Sequence, residues 1–300
     1  MVNIMVNEEN PGDKRMKDAY AVSKKLVYSR LKNEEKENIR ILEDLNDTDI
    51  IVVKGSFDHI HQVLDLLDMP YKMITDMQLP KLNLRADQTI FVNCPSSFSP
   101  VAARKIRTFV EQGGQLITTD WGIKHVLEQA FPGTVRYNGN STADEVIRIE
   151  LVDKEDELVR GFLDEKSDPV WWLEGSSYPI EILDKKRVKV LIKSKELGKR
   201  YGENPVMIRF EWGKGVVYHM ISHLYLQRTE TRDQRQASAK EKYFKDKIAD
   251  PTTYETMKSE FAEVDLNYGE VQSANTTSEF MSRAVLGQKK RFMKKKADEK

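Results

Sequence analysis

The sequence has one cysteine, Cys94, in 300 residues, and that scarcity excludes an internal disulfide and every multi-cysteine zinc or iron–sulfur arrangement. A chain so poor in cysteine suits a reducing compartment, and a cytoplasmic location is expected. Charge of one sign is lacking too, since 48 basic residues offset 48 acidic ones. No global field favours nucleic acid or an acidic membrane, so a dedicated nucleic-acid binder is not expected. Long apolar runs are also missing. No window reaches the ~18 uninterrupted apolar residues of a membrane span, and the first twenty residues lack a basic stretch followed by an apolar one. The chain is expected to be neither embedded nor exported.

What is present changes character along the chain. From Asp13 to about Leu45 the sequence is charge-rich and free of glycine and proline. Ala19, Val22, Leu26, Val27 and Leu31, then Ile39, Ile41 and Leu42, recur at mostly helical spacing. This predicts a peripheral, interrupted helix over an N-terminal extension, residues 1–48.

From Asp49 short apolar runs alternate with helical segments. "IIVVKG" reads as a strand buried on both faces, and "SFDHIHQVLDLL" as a helix capped by Ser56, with Phe57, Ile60, Val63, Leu64 and Leu67 on one side. "YKMIT" and "TIFVNC" are further strands. "SPVAARKIRTFVEQGG" is a helix capped by Ser99, opened by Pro100 and ended by Gly113. "QLITTD" then leads through a corner into "IKHVLEQAF". The alternation predicts an α/β fold, a three-layer, doubly wound and mostly parallel sheet over 49–227. "DEVIRIELVD", "RVKVLIKS" and "PVMIRFEWGKGVVYHMISH" are later strands that extend the sheet or form a β-rich insertion beside it. Residues 228–300 are polar, with a basic tail "KKRFMKKK", and are expected to form helices on the domain or on a partner, dispensable for folding of the sheet.

The order of "IIVVKGSFDHIHQVLDLL", "TIFVNCPSSFSP", "IRTFVEQGGQLITTDWG" and "WGKGVVYHMISH" resembles the class I glutamine-amidotransferase-like superfamily, in particular its divergent trehalose-utilisation-type members. The resemblance covers about Asp49 to Leu224. It implies a flavodoxin-like sheet with a strained elbow after the fourth strand, where the family carries a nucleophilic cysteine followed by x-Gly. In "LITTDWG" that position is Asp120, and Gly122 matches the retained glycine. The family's late-strand histidine matches His219, with His223 as a competitor, and Ile221 stands where the family has a glutamate. Glutaminase activity by the usual thiol route is therefore not expected.

The candidate catalytic residues are Asp120, His219 and His223. On an extended strand the two histidines share one face. Asp120 has two readings, a helix N-cap or a functional carboxylate. The candidate ligand-binding residues are Gly55, Ser56, Asn93, Cys94, Ser96, Trp121 and Gly122. "GSFDHIH" offers free N–H groups for an anion, and the loop from Asn93 to Ser97 offers donors for an oxyanion. Cys94 reads as a packed thiol rather than a nucleophile. Trp171, Trp172 and Tyr178 read as packing for a loop. His59 and His61 lie two apart on a helix and face different ways. "HMISH" has metal-ligand spacing only if helical, so no metal site and no cofactor are expected.

The reading that follows is a cytoplasmic binding or assembly subunit without thiol chemistry, contacting a protein partner or a second copy through its extensions. Two others stand beside it: a hydrolase with a rebuilt site using Asp120 with His219 or His223, and a small-ligand sensor using the same cleft.

Overall fold

The computed structural model describes residues 11–34, 36–160, 169–223 and 234–298. The boundary drawn at 227 lies outside them. The chain opens with helices α1 (Pro11–Glu34) and α2 (Lys36–Glu43), then alternates β1 (Ile50–Val53), α3 (Ile60–Leu66), β2 (Lys72–Ile74), β3 (Thr89–Val92), α4 (Pro100–Glu111) and β4 (Gln115–Thr119). A π-helical turn, Ile123–Leu127, runs into the short α5 (Glu128–Ala130). Then come β5 (Val135–Tyr137), β6 (Glu145–Arg148), β7 (Glu150–Leu151), β8 (Val170–Leu173), β9 (Ile180–Ile182), β10 (Lys189–Lys193), α6 (Lys195–Tyr201), β11 (Pro205–Trp212) and β12 (Gly215–Met220). Helices α7 (Lys240–Lys247), α8 (Pro251–Glu260) and α9 (Tyr268–Asp298) close the chain.

The main sheet has the order β2-β1-β3-β4-β12-β11-β10-β7. Its first five strands are mutually parallel, with Ile51 beside Ile90, Ile90 beside Leu116 and Leu116 beside Val217. The fold is therefore the expected α/β type with a mostly parallel sheet. β1, β3 and β4 are buried along their whole length, which is why β1 and most of β3 read as continuous apolar runs, while the polar side chains of β4, Gln115, Thr118 and Thr119, are buried on hydrogen bonds. The later strands do both things expected of them: β11, β10 and β7 extend the sheet in antiparallel fashion, while β5–β9 and β6–β8 form separate two-stranded ribbons.

Helix ends follow local chemistry, with corrections. Pro100 opens α4 as expected, and Gly113, at φ 119°, takes the chain out of it in a conformation that glycine alone adopts freely. Ser99 occupies the cap position without a side-chain cap bond. Ser56 does not cap α3, which starts at Ile60, so the segment from Ser56 to His59 is a loop. Phe57 consequently lies 46% exposed instead of joining the apolar face. Helical spacing does not apply to His59 and His61 for the same reason, and their rings meet edge to face at 5.8 Å.

The C-terminal helices are built into the core. Tyr243, Phe244, Met257, Phe280 and Met281 are buried in the same cluster as the sheet residues. Along α1 the stripe Ala19, Val22, Leu26, Val27 and Leu31 is buried, and α9 packs against it with Arg30 Nε on Glu279 Oε1 at 2.6 Å. Helix α9 also reaches the amino ends of the strands. Gln115 Nε2 donates to Ala284 O at 2.8 Å, and Lys289 Nζ pairs with Asp49 and Asp87 at 2.8 and 2.9 Å. The basic tail "KKRFMKKK" is the last part of α9, and Lys295 donates from it to the carbonyl of Lys214.

Candidate functional site

The carboxyl ends of β1, β3, β4 and β12 meet a loop that follows β8. Beyond β1, Gly55 passes so close to the loop after β3 that an added Cβ would stand 2.4 Å from Asn93 O. No other residue type fits there without moving backbone. The contact is secured by Ser56 N and Phe57 N, which donate to Cys94 O at 2.8 and 3.3 Å. Those N–H groups are thus occupied, and the expected anion cradle at "GSFDHIH" does not form. Ser56 Oγ instead lies 2.8 Å from Ser96 Oγ and accepts from Ser96 N at 3.3 Å. Asp58 turns inward. Its carboxylate accepts from Thr119 Oγ1 and from His59 N, both at 2.7 Å.

At the corner after β4, Asp120 has φ 44°, the left-handed region in which Asp is tolerated better than most residues but still at a cost. The elbow expected from the resemblance is present in the backbone. Of the two readings of Asp120, the structure excludes the cap. Gly122 precedes the π turn with no side-chain cap bond, and the Asp120 carboxylate accepts from Tyr178 N at 2.8 Å and from Ser177 Oγ at 3.1 Å. Gly122 itself has an ordinary φ of −55°, and a Cβ there would lie 3.1 Å from Thr118 Cβ.

The histidines part company. β12 ends at Met220 and the chain bends, so the two-residue alternation that would put His219 and His223 on one face does not extend to His223. His219 is fully buried within the sheet, its Nδ1 2.8 Å from Thr118 Oγ1 and its Nε2 without a partner. Burial drives its pKa down to about 3, so it is neutral. His223 is the imidazole that meets Asp120: Nε2 lies 3.5 Å from Asp120 Oδ2, and Nδ1 lies 2.9 Å from Glu174 Oε2. The side chains of Asp120 and His223 are each 4% exposed.

Cys94 is buried as expected of a packed thiol, yet it is part of this group. Among the described residues, Cys94, Asp120 and His223 offer Sγ, carboxylate and imidazole atoms all within 4.8 Å of one another. Burial pushes the Cys94 thiol up and lifts the Asp120 carboxyl to about 7. Burial also opposes a charge on His223, but the neighbouring Cys94 and Glu174 side chains and the charge of Asp58 outweigh it and raise the imidazole to about 11. Beside them the buried amide of Asn93 has neither of its polar atoms paired, and Glu174 Oε1 is buried and unpaired as well. Buried polar atoms left without partners are uncommon, and here two neighbouring residues carry them.

An aromatic row borders the group. Trp121 stacks on Tyr178 at 5.1 Å and donates from Nε1 to Ser176 O, Phe57 meets Trp121 edge-on at 4.8 Å, and Tyr178 stacks on Tyr137 at 3.8 Å. Trp172 turns elsewhere and bonds Asp144 Oδ1 at 2.8 Å. Asp58, Glu174 and Ser177 were not singled out in the sequence. They are ordinary polar residues in polar stretches, and only the tertiary fold brings them to Asp120 and His223.

No protein-family model matches the chain, and comparison with curated proteins gives no match. Solved structures do resemble it. A β-galactosidase from Bacillus circulans sp. alkalophilus aligns at 17% identity and TM-score 0.41, over 62% of this chain and 31% of the galactosidase, so the chain spans about a third of that protein. A glutamine amidotransferase from Thermotoga maritima aligns at 11% identity and TM-score 0.44, over 80% of this chain and 98% of its own. A putative ThuA-like protein from Bacteroides uniformis aligns at 10% identity and TM-score 0.41, over 59% and 83%. At these identities and scores the likenesses carry no argument about activity, and the description of the fold rests on the sheet order itself.

Proposed function

We propose that the chain is an enzyme of the hydrolase class, acting on a small polar substrate at the carboxyl ends of β1, β3, β4 and β12 without an elbow cysteine. The observation that carries this reading is the convergence of Asp120 and His223. A carboxylate at a strained corner forgoes helix capping and is held by Ser177 and Tyr178 facing an imidazole from another strand end, which Glu174 orients. In this reading Asp120 and His223 position and activate the attacking water, and the unpaired Asn93 amide binds a substrate oxygen. An assembly subunit has less in its favour, because α1 and α9 bury their apolar faces against each other and the sheet rather than presenting them.

The test is turnover of a panel of chromogenic carboxyl, phosphoryl and glycosyl esters. Asp120→Asn should lower kcat/KM for any turned-over substrate by at least 100-fold, an effect of about 3 kcal/mol, while His219→Asn should leave it within a few-fold. Equal turnover by wild type and Asp120→Asn would end the reading. Burial of the polar group beneath the aromatic row favours one second reading, a ligand sensor. A small molecule that co-purifies and is released chemically unchanged would favour the sensor.

A further inference from the structure

The group at the strand ends has a feature that acid–base chemistry alone does not need: three different metal-ligand types within 4.8 Å of one another. We infer that Cys94 Sγ, an oxygen of Asp120 and His223 Nε2 form a binding site for a single zinc-class divalent cation. The inference rests on the reading of this cleft as the functional site.

Geometry is the first support. The ligand atoms lie within 4.8 Å of one another, and His223 Nε2 to Asp120 Oδ2 is 3.5 Å. Around a tetrahedral zinc ion with bonds of about 2.0–2.3 Å, ligand atoms stand roughly 3.3–3.8 Å apart. The nitrogen–oxygen pair already has that spacing, and a shift of the Cys94 side chain by about 1 Å brings in the sulfur. Three protein ligands leave the fourth position for water or substrate, the arrangement of catalytic rather than structural zinc.

The second support is the hydrogen bonding behind the ligands. A metal-binding histidine uses one ring nitrogen for the metal and gives the other to a carboxylate, which fixes the ring and the tautomer. His223 has this division: Nδ1 is 2.9 Å from Glu174 Oε2, and the buried Nε2 lies 3.5 Å from Asp120 Oδ2. Asp120 is braced in the same way by Tyr178 N and Ser177 Oγ. Those two contacts leave lone pairs on both carboxylate oxygens.

Charge is the third support. Asp58, Asp120 and Glu174 bring three carboxyl groups near one imidazole, more negative charge than a single imidazolium balances, and a bound cation lessens that cost. With Cys94 and Asp120 as anions and His223 neutral, a divalent ion neutralises its own ligands. Glu174 then remains to accept the His223 Nδ1 proton. The signal is invisible locally, since Cys94, Asp120 and His223 are 26 and 103 residues apart in sequence and no short motif contains two of them.

The experiment is cobalt(II) titration of the full-length, chelator-treated protein, read by absorption. The expected result is one cobalt per chain, with visible bands of tetrahedral strength and a near-ultraviolet sulfur-to-cobalt band, displaced by zinc. Cys94→Ser should abolish the sulfur band. Glu174→Gln should weaken binding about 10–100-fold with the band position kept, and His219→Asn should change neither. If Cys94→Ser does not fold, His223→Gln must lower affinity at least 10-fold. Absence of the bands, or bands that persist unchanged in Cys94→Ser or His223→Gln, overturns the inference. Ester turnover measured on the same samples separates it from the proposed function. Cobalt binding without turnover upholds the metal site and counts against the hydrolase, and turnover without cobalt or zinc binding does the reverse.

Discussion

His219 is one of the two histidines that sequence pattern nominates for catalysis, the one the fold places inside the sheet, and its burial has a measurable consequence. The ring is fully buried, with one nitrogen on Thr118 Oγ1 at 2.8 Å and the other unpaired, so protonation would put a charge in a place with no counter-charge in contact. Its pKa falls from 6.5 to about 3. In the unfolded chain the same imidazole titrates near 6.5. The unfolded state therefore binds a proton that the folded state refuses, and stability is lost as pH falls from about 6.5 towards 3. Between pH 7 and pH 5 the loss from this one group is about 2 kcal/mol, taking 1.36 kcal/mol per pH unit over the ~1.5 units below the unfolded pKa.

His219→Asn removes the titrating group and keeps a polar atom for Thr118. The smaller side chain also leaves a void whose cost is the same at every pH and cancels in the comparison. Urea unfolding of wild type and variant at pH 7 and pH 5 should thus show wild type losing about 2 kcal/mol more than the variant. Equal losses, within about 0.5 kcal/mol, would mean that His219 is solvated or paired in the folded protein, and the separation of the two histidines would fail.

Three further outcomes are expected. Truncation after Gln227 removes α7 to α9 and uncovers the buried stripe of α1 and the Gln115 side chain, so the shortened chain should be insoluble or lack a cooperative thermal transition by circular dichroism; a retained transition would show the sheet domain to be independent. Gly55→Ala drives a methyl against the Asn93 backbone, and should cost about 1–3 kcal/mol in urea unfolding together with loss of any turnover or cobalt binding. Trp121→Ala removes the contacts with Tyr178 and Phe57, each worth about 0.5–1.5 kcal/mol, so a stability loss under about 0.5 kcal/mol would mean that the aromatic row is not formed in solution.

Segments whose structure is decided within a few residues were readable. β1 and β3 are near-continuous apolar runs because both their faces are covered, and α4 carries its own start and stop in Pro100 and Gly113. The start of α3 was not readable, since Ser56 has the chemistry of a cap but its hydroxyl is engaged by Ser96 across the gap between two loops. Helix α9 misled for a different reason. Much of what it buries is small or polar, including Ala274, Thr277, Ser278 and Ser282, so a count of large apolar residues underestimates its contact with the core. Ser278 Oγ bonds the carbonyl of Ala274 one turn back, which lets a hydroxyl be buried within a helix at little cost.

The candidate site divides along the same line. The elbow at Asp120 could be anticipated because strand, corner and helix are consecutive, and their backbone geometry is local. The partner of Asp120 could not, because strand alternation is a good guide to facing only while the strand lasts. β12 stops at Met220, and the bend through Ile221 and Ser222 turns His223 towards Asp120 and Glu174 while His219 stays in the sheet. That bend is itself anchored, with Ser222 Oγ donating to Trp172 O at 2.7 Å, so the strand β8 that precedes Glu174 also fixes the path of the chain carrying His223. One ribbon thus supplies the carboxylate that orients the imidazole and the carbonyl that turns it inward. A residue pattern that records only the spacing of histidines has no access to either contact, and for that reason it leaves both histidines as candidates.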